Sequence, residues 1–531
     1  MQAAHGVAMT PLPRRVLPIG IQSFAKIRQR NHYYVDKTRF ALDLIAQGSY
    51  YFLSRPRRFG KSLFLDTLHQ LWAGRRELFT GLYAEEHWDW SVSYPVIHLS
   101  LGGGIDPSLE SLDQLLHKQL FDLEEEHGLP ARFPDAASRF QDLIKRLHHQ
   151  AGQPVVVLVD EYDKPILDVL EDPDLAGLVR NRLRRLYVVI KECDPYIRFA
   201  FLTGVSKFSK VSIFSGLNNL RDITLVPQYS AICGYTDADI DTVFAPELPG
   251  LDREEIRRWY NGYNWGGEAV YNPFDLLLLF REQQYRPYWF ETGTPAFLVE
   301  LLGRKGVLSP DLEFLLTDEE LLSSFDVDDI APEALLFQTG YLTIADVQSD
   351  PLSLPTYRLG YPNREVQLSL SRALLRSYGV PERTLQVNRQ QLFTLLQTAD
   401  FERLQGLLQS LLASIPHDWY RNNAIANYEG YYASVVYSFF KATGLDLSVE
   451  DSTSQGRIDM TVRHGGQVFL FEFKLAENAA PGEALAQLKQ KNYAAKYRQP
   501  GVPIWLIGIE FSRESRSIVG FEVESDRGEA C

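Results

Sequence analysis

Two groups of polar residues have the types and spacing that phosphate chemistry requires. The first is Gly60-Lys61-Ser62, which opens an apolar helix pattern directly after the strand-like run YYFLS (50–54). Backbone N–H groups at such a helix start can face a phosphate, a lysine can reach the β- and γ-phosphates of a nucleotide, and a serine hydroxyl can ligate Mg²⁺. The motif G-x-x-x-x-G-K-[ST] is incomplete, because Arg55 stands at its first glycine position. The sequence therefore predicts a nucleotide site here, and a chance GKS on a helix is the alternative.

The entrance of this loop differs from a glycine-rich one. Pro56 fixes φ near −65° and removes a backbone donor, so the loop is expected to be stiffer and to offer fewer N–H groups. The charges of Arg55, Arg57 and Arg58 are predicted to replace part of that anion affinity.

A pair of acids supports the nucleotide interpretation. The apolar run PVVVLVD (154–160) ends at Asp160, and Glu161 follows. Ligands of open α/β sheets bind at the carboxyl ends of strands. Asp160 can thus hold Mg²⁺, directly or through water, and Glu161 can orient or deprotonate an attacking water. Two acids that simply end a strand at the surface are the alternative, but their combination with the lysine and serine in one βαβ series favours the functional interpretation.

Two further features belong to this part of the chain. The strand-like run IRFAFLTGV (197–205) carries Thr203, at the sensor position of ATPases, where a polar side chain detects the γ-phosphate. The run VRNRLRRLY contains candidates for an arginine finger, although a solvated helix face is the alternative for most of them: Arg180, Arg182, Arg184 and Arg185.

The second group of polar residues lies near the C-terminus, on a hairpin predicted to turn at 465–466. Asp459 lies on its first strand, and Glu472 and Lys474 lie on its second. Because strand side chains alternate, Glu472 and Lys474 share a face, opposite the phenylalanines of that strand. Two carboxylates from adjacent strands can bind Mg²⁺, with Glu429 as a candidate third ligand, while the lysine positions or activates a water that attacks a phosphodiester. An exposed strand with alternating polar residues is the alternative.

These residues must be positioned by two α/β regions with helices between them. Strand-like and helical patterns alternate through the first third of the chain, which predicts a parallel sheet with helices on both faces. Amphipathic helices follow from about residue 235, with a strand at 340–347, which indicates a helical lid and a winged element. After a further helical stretch, the order αββαβ predicts a second α/β domain. The expected divisions are 1–234, 235–387, 388–420 and 421–531.

Bulk composition limits the classes of function. The chain has 531 residues, 45% of them hydrophobic and 23% charged, which is typical of a multidomain globular protein. A formal net charge of −14 argues against a surface coated with nucleic acid and requires any such contact to be local. Three cysteines without metal-ligand spacing favour a reducing cytoplasm. No export signal or membrane span is expected.

Five stretches together resemble the bacterial AAA-ATPase-like family, whose members carry a C-terminal nuclease-like domain. They are LPIGIQSF (17–24), YYVDKT (33–38), RPRRFGKSL (55–63), LVDEYDKP (158–165) and FLTGVSKFS (201–209). The resemblance implies an AAA+-type core that uses ATP and Mg²⁺, and a phosphate loop that ordinarily reads RRFGKS, so Arg57, Arg58 and Phe59 join the predicted nucleotide-binding residues. It also implies that Tyr34 and Asp36 lie near the nucleotide.

The C-terminal hairpin resembles the PD-(D/E)XK nuclease superfamily, with Ile458 where that motif has proline. Gln487 matches the helical glutamine of many such nucleases. Basic and aromatic residues follow it on the predicted helix: Lys489, Lys491, Tyr493, Lys496 and Arg498. They are expected either to contact a phosphate backbone or to form a solvated face.

The combined prediction is an ATPase coupled to a Mg²⁺-dependent nuclease that acts on nucleic acid, DNA in preference to RNA, with mobile-element or phage defence as the analogous role. A homo-oligomer is allowed and no membrane partner is expected. Two alternatives stay open. One is a nucleotide-dependent switch whose C-terminal domain binds nucleic acid without cleaving it. The other is a signalling ATPase with a protein partner.

Overall fold

The computed structural model describes residues 14–103, 106–207, 217, 219–291, 302, 310–313, 315–323, 331–348, 354–416, 430–453 and 456–526. Residue contacts divide the chain into two compact units. The first unit comprises Met1–Thr292 with Leu316–Asn363, and the second comprises Gly293–Leu315 with Arg364–Cys531. The four divisions expected from the sequence stay predictions.

The first unit begins with alternating helices and strands. They are α1 (Phe24–Gln29), α2 (Thr38–Gln47), β1 (Tyr50–Ser54), α3 (Lys61–Trp72), α4 (Tyr83–His87), β2 (Val96–Ser100), α5 (Leu109–Glu126), α6 (Ala136–Ala151), β3 (Val155–Asp160), α7 (Lys164–Leu167), α8 (Pro173–Glu192), β4 (Ile197–Gly204) and β5 (Arg221–Asp222).

The strands form a parallel sheet in the order β2-β3-β4-β1-β5. Strand β4 shows how both faces are covered. Its Phe199 and Phe201 contact Trp72 and Phe64 of α3, while the alternate residues of β4 belong to an apolar cluster with α5, α6 and α8. Every residue of β3 is buried, and each buried Val or Leu side chain stabilises the fold by about 1.5–3 kcal/mol. The predicted doubly covered parallel sheet is confirmed.

The rest of the first unit is mainly helical. It contains α9 (Asp237–Thr242), α10 (Arg253–Tyr260), α11 (Pro273–Glu282), α12 (Tyr288–Glu291), β6 (Leu316–Thr317), α13 (Glu319–Ser323), α14 (Pro332–Thr339), β7 (Thr343–Gln348) and β8 (Thr356–Gly360). The last three strands form a small antiparallel sheet in the order β6-β8-β7, and β7 is the strand expected near residue 340. Helices α9 to α11 share an apolar cluster that also takes in Tyr33 and Val35.

The second unit places helices before and within a mixed sheet. Its elements are α15 (Arg364–Ser377), α16 (Glu382–Thr398), α17 (Phe401–Ala413), α18 (Gly430–Thr443), β9 (Asp446–Thr453), β10 (Gly456–His464), β11 (Gln467–Leu475), α19 (Glu483–Gln490), β12 (Ile504–Ser512) and β13 (Ser517–Asp526). The sheet order is β13-β12-β11-β10-β9, with β11 and β12 parallel and the other pairs antiparallel.

The predicted αββαβ order corresponds to α18, β10, β11, α19 and β12. The turn between β10 and β11 has positive φ at both Gly465 and Gly466, as a two-residue hairpin loop requires. Strands β9 and β13 were not predicted. Both are edge strands, which carry polar and acidic residues and therefore lack the apolar runs that mark central strands.

No helix in the described part of the chain combines the length and apolar character needed to cross a membrane.

Candidate nucleotide and metal sites

The loop predicted to bind phosphate, called the phosphate-binding loop below, lies between the end of β1 and the start of α3. Gly60 is the N-cap of α3, with a φ of 96° in the left-handed region that favours glycine. Because glycine has no side chain to cap the helix, the first amide groups of this helix of 12 residues are available to an anion. The loop geometry thus fits a phosphate.

Lys61 lies against this loop. Its Nζ donates to the carbonyl oxygens of Arg55 at 2.9 Å and Pro56 at 3.0 Å. Burial lowers the pKa of the Lys61 ammonium, and the nearby carboxylates of Asp160 and Asp163 oppose that change. Ser62 follows at the first turn of α3 and is half-buried. The lysine is therefore a buried cation at the mouth of the loop, surrounded by oxygen atoms.

The predicted acids lie two strands away, at the end of β3. Since neighbouring strands are about 4.8 Å apart and β4 separates β1 from β3, the two strand ends lie about 10 Å apart. Asp160 is buried and accepts a hydrogen bond from the Glu161 amide at 2.9 Å. Burial, followed by the charge of Asp160, raises the pKa of Glu161, while Lys61 lowers it. The structure thus brings Lys61, Asp160 and Glu161 within electrostatic range of one another.

Glycine at position 102 makes room for the Glu161 side chain. A Cβ atom built on Gly102, just beyond β2, would lie 2.0 Å from Glu161 Oε2. The Glu161 backbone has a φ of 51°, which is uncommon outside glycine and is typical of residues held by their surroundings at functional sites. Its carboxylate is therefore directed by its neighbours.

The sequence analysis missed a third acid, Asp163. Its buried carboxylate accepts hydrogen bonds from the amides of Val205 at 3.0 Å and Ser206 at 2.6 Å, and from the Ser206 hydroxyl at 2.6 Å. A Cβ on Gly204 would lie 2.3 Å from Asp163 Oδ1. Asp163 thus ties the end of β3 to the end of β4. The available signal was the acid three residues after Asp160 together with the small residues that follow β4.

Several predicted contacts have other partners in the structure. The Thr203 hydroxyl is buried and donates to the Leu53 carbonyl at 2.9 Å, so it bridges β4 and β1, and its sensor role stays a prediction. The Asp36 carboxylate accepts from the Thr38 amide at 2.9 Å and the Tyr83 amide at 2.7 Å, which places it at the N-terminus of α2. The Tyr34 hydroxyl lies 3.4 Å from the Thr67 hydroxyl of α3.

The candidate arginine fingers lie on α8. Arg182 forms an ion pair with Asp113 of α5. Arg184 and Arg185 line a cavity of about 540 Å³ between α6 and α8, to which no residue of the phosphate-binding loop contributes. A finger role for any of these arginines stays a prediction.

The anion contact expected of Arg55 is wrong. Its guanidinium is fully buried and donates to the carbonyl oxygens of Thr224 and Tyr229, both at 3.0 Å. Arg57 and Arg58 are exposed, whereas the Phe59 ring is buried. Phe59 therefore anchors the loop through its side chain.

The second site lies on β10 and β11, where the predicted residues come together. The Asp459 carboxylate accepts from the Phe473 amide at 2.9 Å, and Lys474 Nζ lies 3.1 Å from Glu472 Oε1. The amide of Gln487, on α19, donates to the same Glu472 oxygen. The side chain of Glu472 is only 1% exposed. Burial and the neighbouring Asp459 charge raise the pKa of Glu472 to about 7.

The other oxygen of Glu472 fits a metal ligand. Glu472 Oε2 is buried and has no hydrogen-bond partner among the described residues. A buried carboxylate oxygen without a partner is costly, and a divalent cation held with Asp459 would satisfy it. No group of three or more His, Cys, Asp or Glu side chains with metal-binding geometry occurs within the described ranges. The predicted third ligand, Glu429, lies outside those ranges.

Helix α19 reaches the site because it packs directly on β12. A Cβ on Gly508 would lie 2.4 Å from the Leu485 backbone nitrogen, so only glycine allows this approach. The short distance brings Gln487 onto Glu472. Tyr493 is buried in the same layer, and burial together with the Glu472 charge raises its pKa.

The basic residues after Gln487 do not form one open surface. Lys489 pairs with Glu524 at 2.7 Å and Arg498 pairs with Asp526 at 2.8 Å, both acids lying on β13. Tyr493 is in the core. These contacts therefore do not support the predicted role of Lys489, Arg498 and Tyr493 in contacting a phosphate backbone.

Two parts of the chain match known protein families. Residues 18–214 match the family described as predicted AAA-ATPase, and residues 427–521 match the PD-(D/E)XK nuclease superfamily. The chain is also similar to the "Uncharacterized protein in vnfD 5'region" of Azotobacter chroococcum mcd 1. The two sequences are 58% identical over 515 residues, which cover 97% of this chain and 100% of that protein. The chain belongs to the AAA-ATPase-like family. In this AAA-ATPase-like protein the first match contains Lys61 and Asp160, and the second contains Asp459 and Glu472.

Proposed function

We propose that this AAA-ATPase-like protein binds and hydrolyses ATP with Mg²⁺, and that its C-terminal domain is a Mg²⁺-dependent nuclease that favours DNA over RNA. The observation that carries the proposal is the buried Glu472. Lys474 and Gln487 contact one oxygen of the Glu472 carboxylate. The other oxygen, on the carboxylate that neighbours Asp459, has no hydrogen-bond donor among the described residues. This arrangement leaves an anionic oxygen available to a cation and supports the nuclease part of the proposal.

At the nucleotide site each residue has a distinct role. The amides of the first turn of α3 and the Lys61 ammonium would bind the phosphates, and Ser62 and Asp160 would hold Mg²⁺. Bound Mg²⁺ neutralises the charge that develops on the phosphates. Glu161 would orient or deprotonate the attacking water, and its raised pKa makes it a stronger base than an exposed glutamate.

At the C-terminal site Asp459 and Glu472 would hold the metal, which polarises the scissile phosphate. Lys474 would position the attacking water on the same face of the sheet. Gln487 donates to one oxygen of the Glu472 carboxylate, so the opposite oxygen would be left to bind the cation.

ATP binding or hydrolysis would gate or drive access of the nucleic acid to the nuclease. A cytoplasmic location, a homo-oligomeric state and a part in mobile-element or phage defence belong to this proposal. Their support is the cysteine composition and analogy with similar architectures.

The test uses the purified full chain with single- and double-stranded DNA and RNA, with and without ATP and Mg²⁺. Lys474→Ala should abolish cleavage and leave ATP binding intact, and Lys61→Ala should abolish ATP binding. Lys118→Ala, at an exposed lysine of α5, is the matched control and should behave as wild type.

Cleavage that survives Lys474→Ala unchanged would remove the nuclease assignment. ATP binding that survives Lys61→Ala would remove the nucleotide assignment. Nucleic-acid binding without cleavage in Mg²⁺ or Mn²⁺ would identify the protein as a nucleotide-dependent switch instead.

A further inference from the structure

The phosphate-binding loop is held by aromatic residues from a later part of the first unit. We call Tyr263, Trp265, Phe274 and Trp289 the aromatic cradle. The Phe59 ring packs edge-on against Tyr263 at 4.7 Å and against Trp265 at 5.6 Å between ring centres. These contacts fix the residue immediately before Gly60.

The start of the loop is fixed by the same cradle. The Arg55 guanidinium carbon lies 4.0 Å from the centre of the Trp265 ring, a cation–π distance. Its nitrogens donate to the Ser54 carbonyl at 2.8 Å and to the Thr224 and Tyr229 carbonyls at 3.0 Å. Trp265 therefore contacts both ends of the loop, one through Arg55 and the other through Phe59.

The middle of the loop is also held. The Trp289 Nε1 donates to the Arg57 carbonyl at 3.0 Å, and the Arg58 guanidinium lies 4.6 Å from the Phe274 ring centre. Pro56 is approached so closely by Gly340 that a Cβ there would lie 2.7 Å from Pro56 Cγ. The cradle and its neighbours thus contact the loop along its whole length.

This support has a physical consequence, because the loop is strained. Arg58 has a φ of 71°, a conformation that costs a non-glycine residue roughly 1–2 kcal/mol and persists only where surrounding contacts hold it. A glycine-rich loop reaches its phosphate-binding shape without that cost. In this chain the shape depends on the cradle instead.

We infer that Trp265 and Trp289 are positioning residues of the nucleotide site, through which segment 224–289 sets the affinity of the phosphate-binding loop for ATP. The inference rests on the proposed nucleotide site. Neither tryptophan is required to touch the nucleotide: Trp265 acts through Arg55 and Phe59, and Trp289 acts through the Arg57 carbonyl. Any partner that shifts this segment would change ATP affinity by reciprocal coupling.

The experiment measures binding of Mg²⁺ with adenylyl imidodiphosphate by titration calorimetry on the full chain. Trp289→Phe keeps an aromatic ring but removes the N–H donor together with part of the indole, and Trp265→Leu removes the cation–π contact. Trp259→Phe is the matched control, since Trp259 lies on α10 and its ring packs against Tyr260 and Tyr285.

Trp289→Phe should raise Kd on the order of tenfold, and Trp265→Leu should raise it more. The control should stay within about twofold of wild type. The kcat for ATP at saturation should stay within about twofold in all three variants, because the cradle sets affinity and the acids at the end of β3 are untouched. A loss of folding would instead lower kcat through the active fraction.

The inference is overturned if Trp289→Phe binds as tightly as wild type, or if kcat falls in proportion to affinity. It is also overturned if Trp259→Phe weakens binding equally. Since Trp289→Phe keeps an aromatic side chain at this position, it provides a second variant that tests the inference if the Trp265→Leu chain does not fold. If the wild-type chain does not bind the nucleotide analogue, the nucleotide site itself is refuted. That result differs from tight binding by Trp289→Phe, which refutes only the positioning role of the tryptophan.

Discussion

Replacing Glu472 by glutamine should stabilise the metal-free protein at alkaline pH. The pKa of this carboxyl is raised from 4.5 to about 7 by burial and by Asp459. An acid with a raised folded pKa does not destabilise the fold below its unfolded pKa, since both states are then protonated. The destabilisation grows as pH rises and is complete above the folded pKa.

The magnitude follows from the size of that pKa change. One pKa unit corresponds to 1.36 kcal/mol, so ionised Glu472 costs about 3 kcal/mol at pH 8 and under about 1 kcal/mol at pH 5. Glu472→Gln removes that cost, which already includes the opposing attraction of Lys474. The expected gain in the free energy of unfolding is therefore about 3 kcal/mol at pH 8 and under about 1 kcal/mol at pH 5.

The assay is urea unfolding of the full chain in EDTA at both pH values, with Glu514→Gln as the control at an exposed glutamate. Added Mg²⁺ should stabilise wild type and not Glu472→Gln, because a ligand that binds only the folded state raises its stability. A Glu472→Gln chain that is less stable than wild type at pH 8 would refute the argument. So would equal gains at the two pH values.

Two glycine substitutions test the geometry of the two sites, one substitution for each site. Gly508→Ala should displace α19, because its Cβ would meet the Leu485 backbone at 2.4 Å. We expect a loss of about 1–3 kcal/mol in the free energy of unfolding and reduced nuclease activity. Gly406→Ala, whose Cβ meets nothing within 4 Å on helix α17, should be neutral or stabilising. Gly102→Ala should push the Glu161 side chain aside and lower kcat for ATP on the order of tenfold without changing ATP affinity. Steady-state kinetics measures kcat, and calorimetry measures the affinity. Equal losses of kcat and of ATP affinity would contradict the role of Glu161.

Local pattern was enough to predict the sheet of the first unit and the hairpin of the second. The sheet follows from continuous apolar runs, and the hairpin follows from alternation with period two and from turn residues such as Gly465, all of which act within a few positions of one another. The pairing of Glu472 with Lys474 was predictable for the same reason. The resemblance to two families, confirmed by the comparisons, rested on short motifs in those segments.

What could not be predicted depends on contacts between distant segments. Arg55 stands at a glycine position and carries a charge, so it suggested an anion contact, yet residues near 224 and 265 bury it. The role of Asp163 depends on backbone amides that lie 42 and 43 positions later in the sequence. Nothing near Arg55 in the sequence reports its partners.

The strand order has a consequence for synthesis of the protein. Strand β4 pairs with β1 on one side and β3 on the other, although it is the last of the three to leave the ribosome. A nascent chain that ends before Ile197 contains the lysine of the phosphate-binding loop and the acids at the end of β3. It lacks β4, the strand that lies between β1 and β3 and joins them. Since domains fold as units during translation, we expect the proposed nucleotide site to form only after that late insertion. ATP would then not stabilise earlier intermediates through this site.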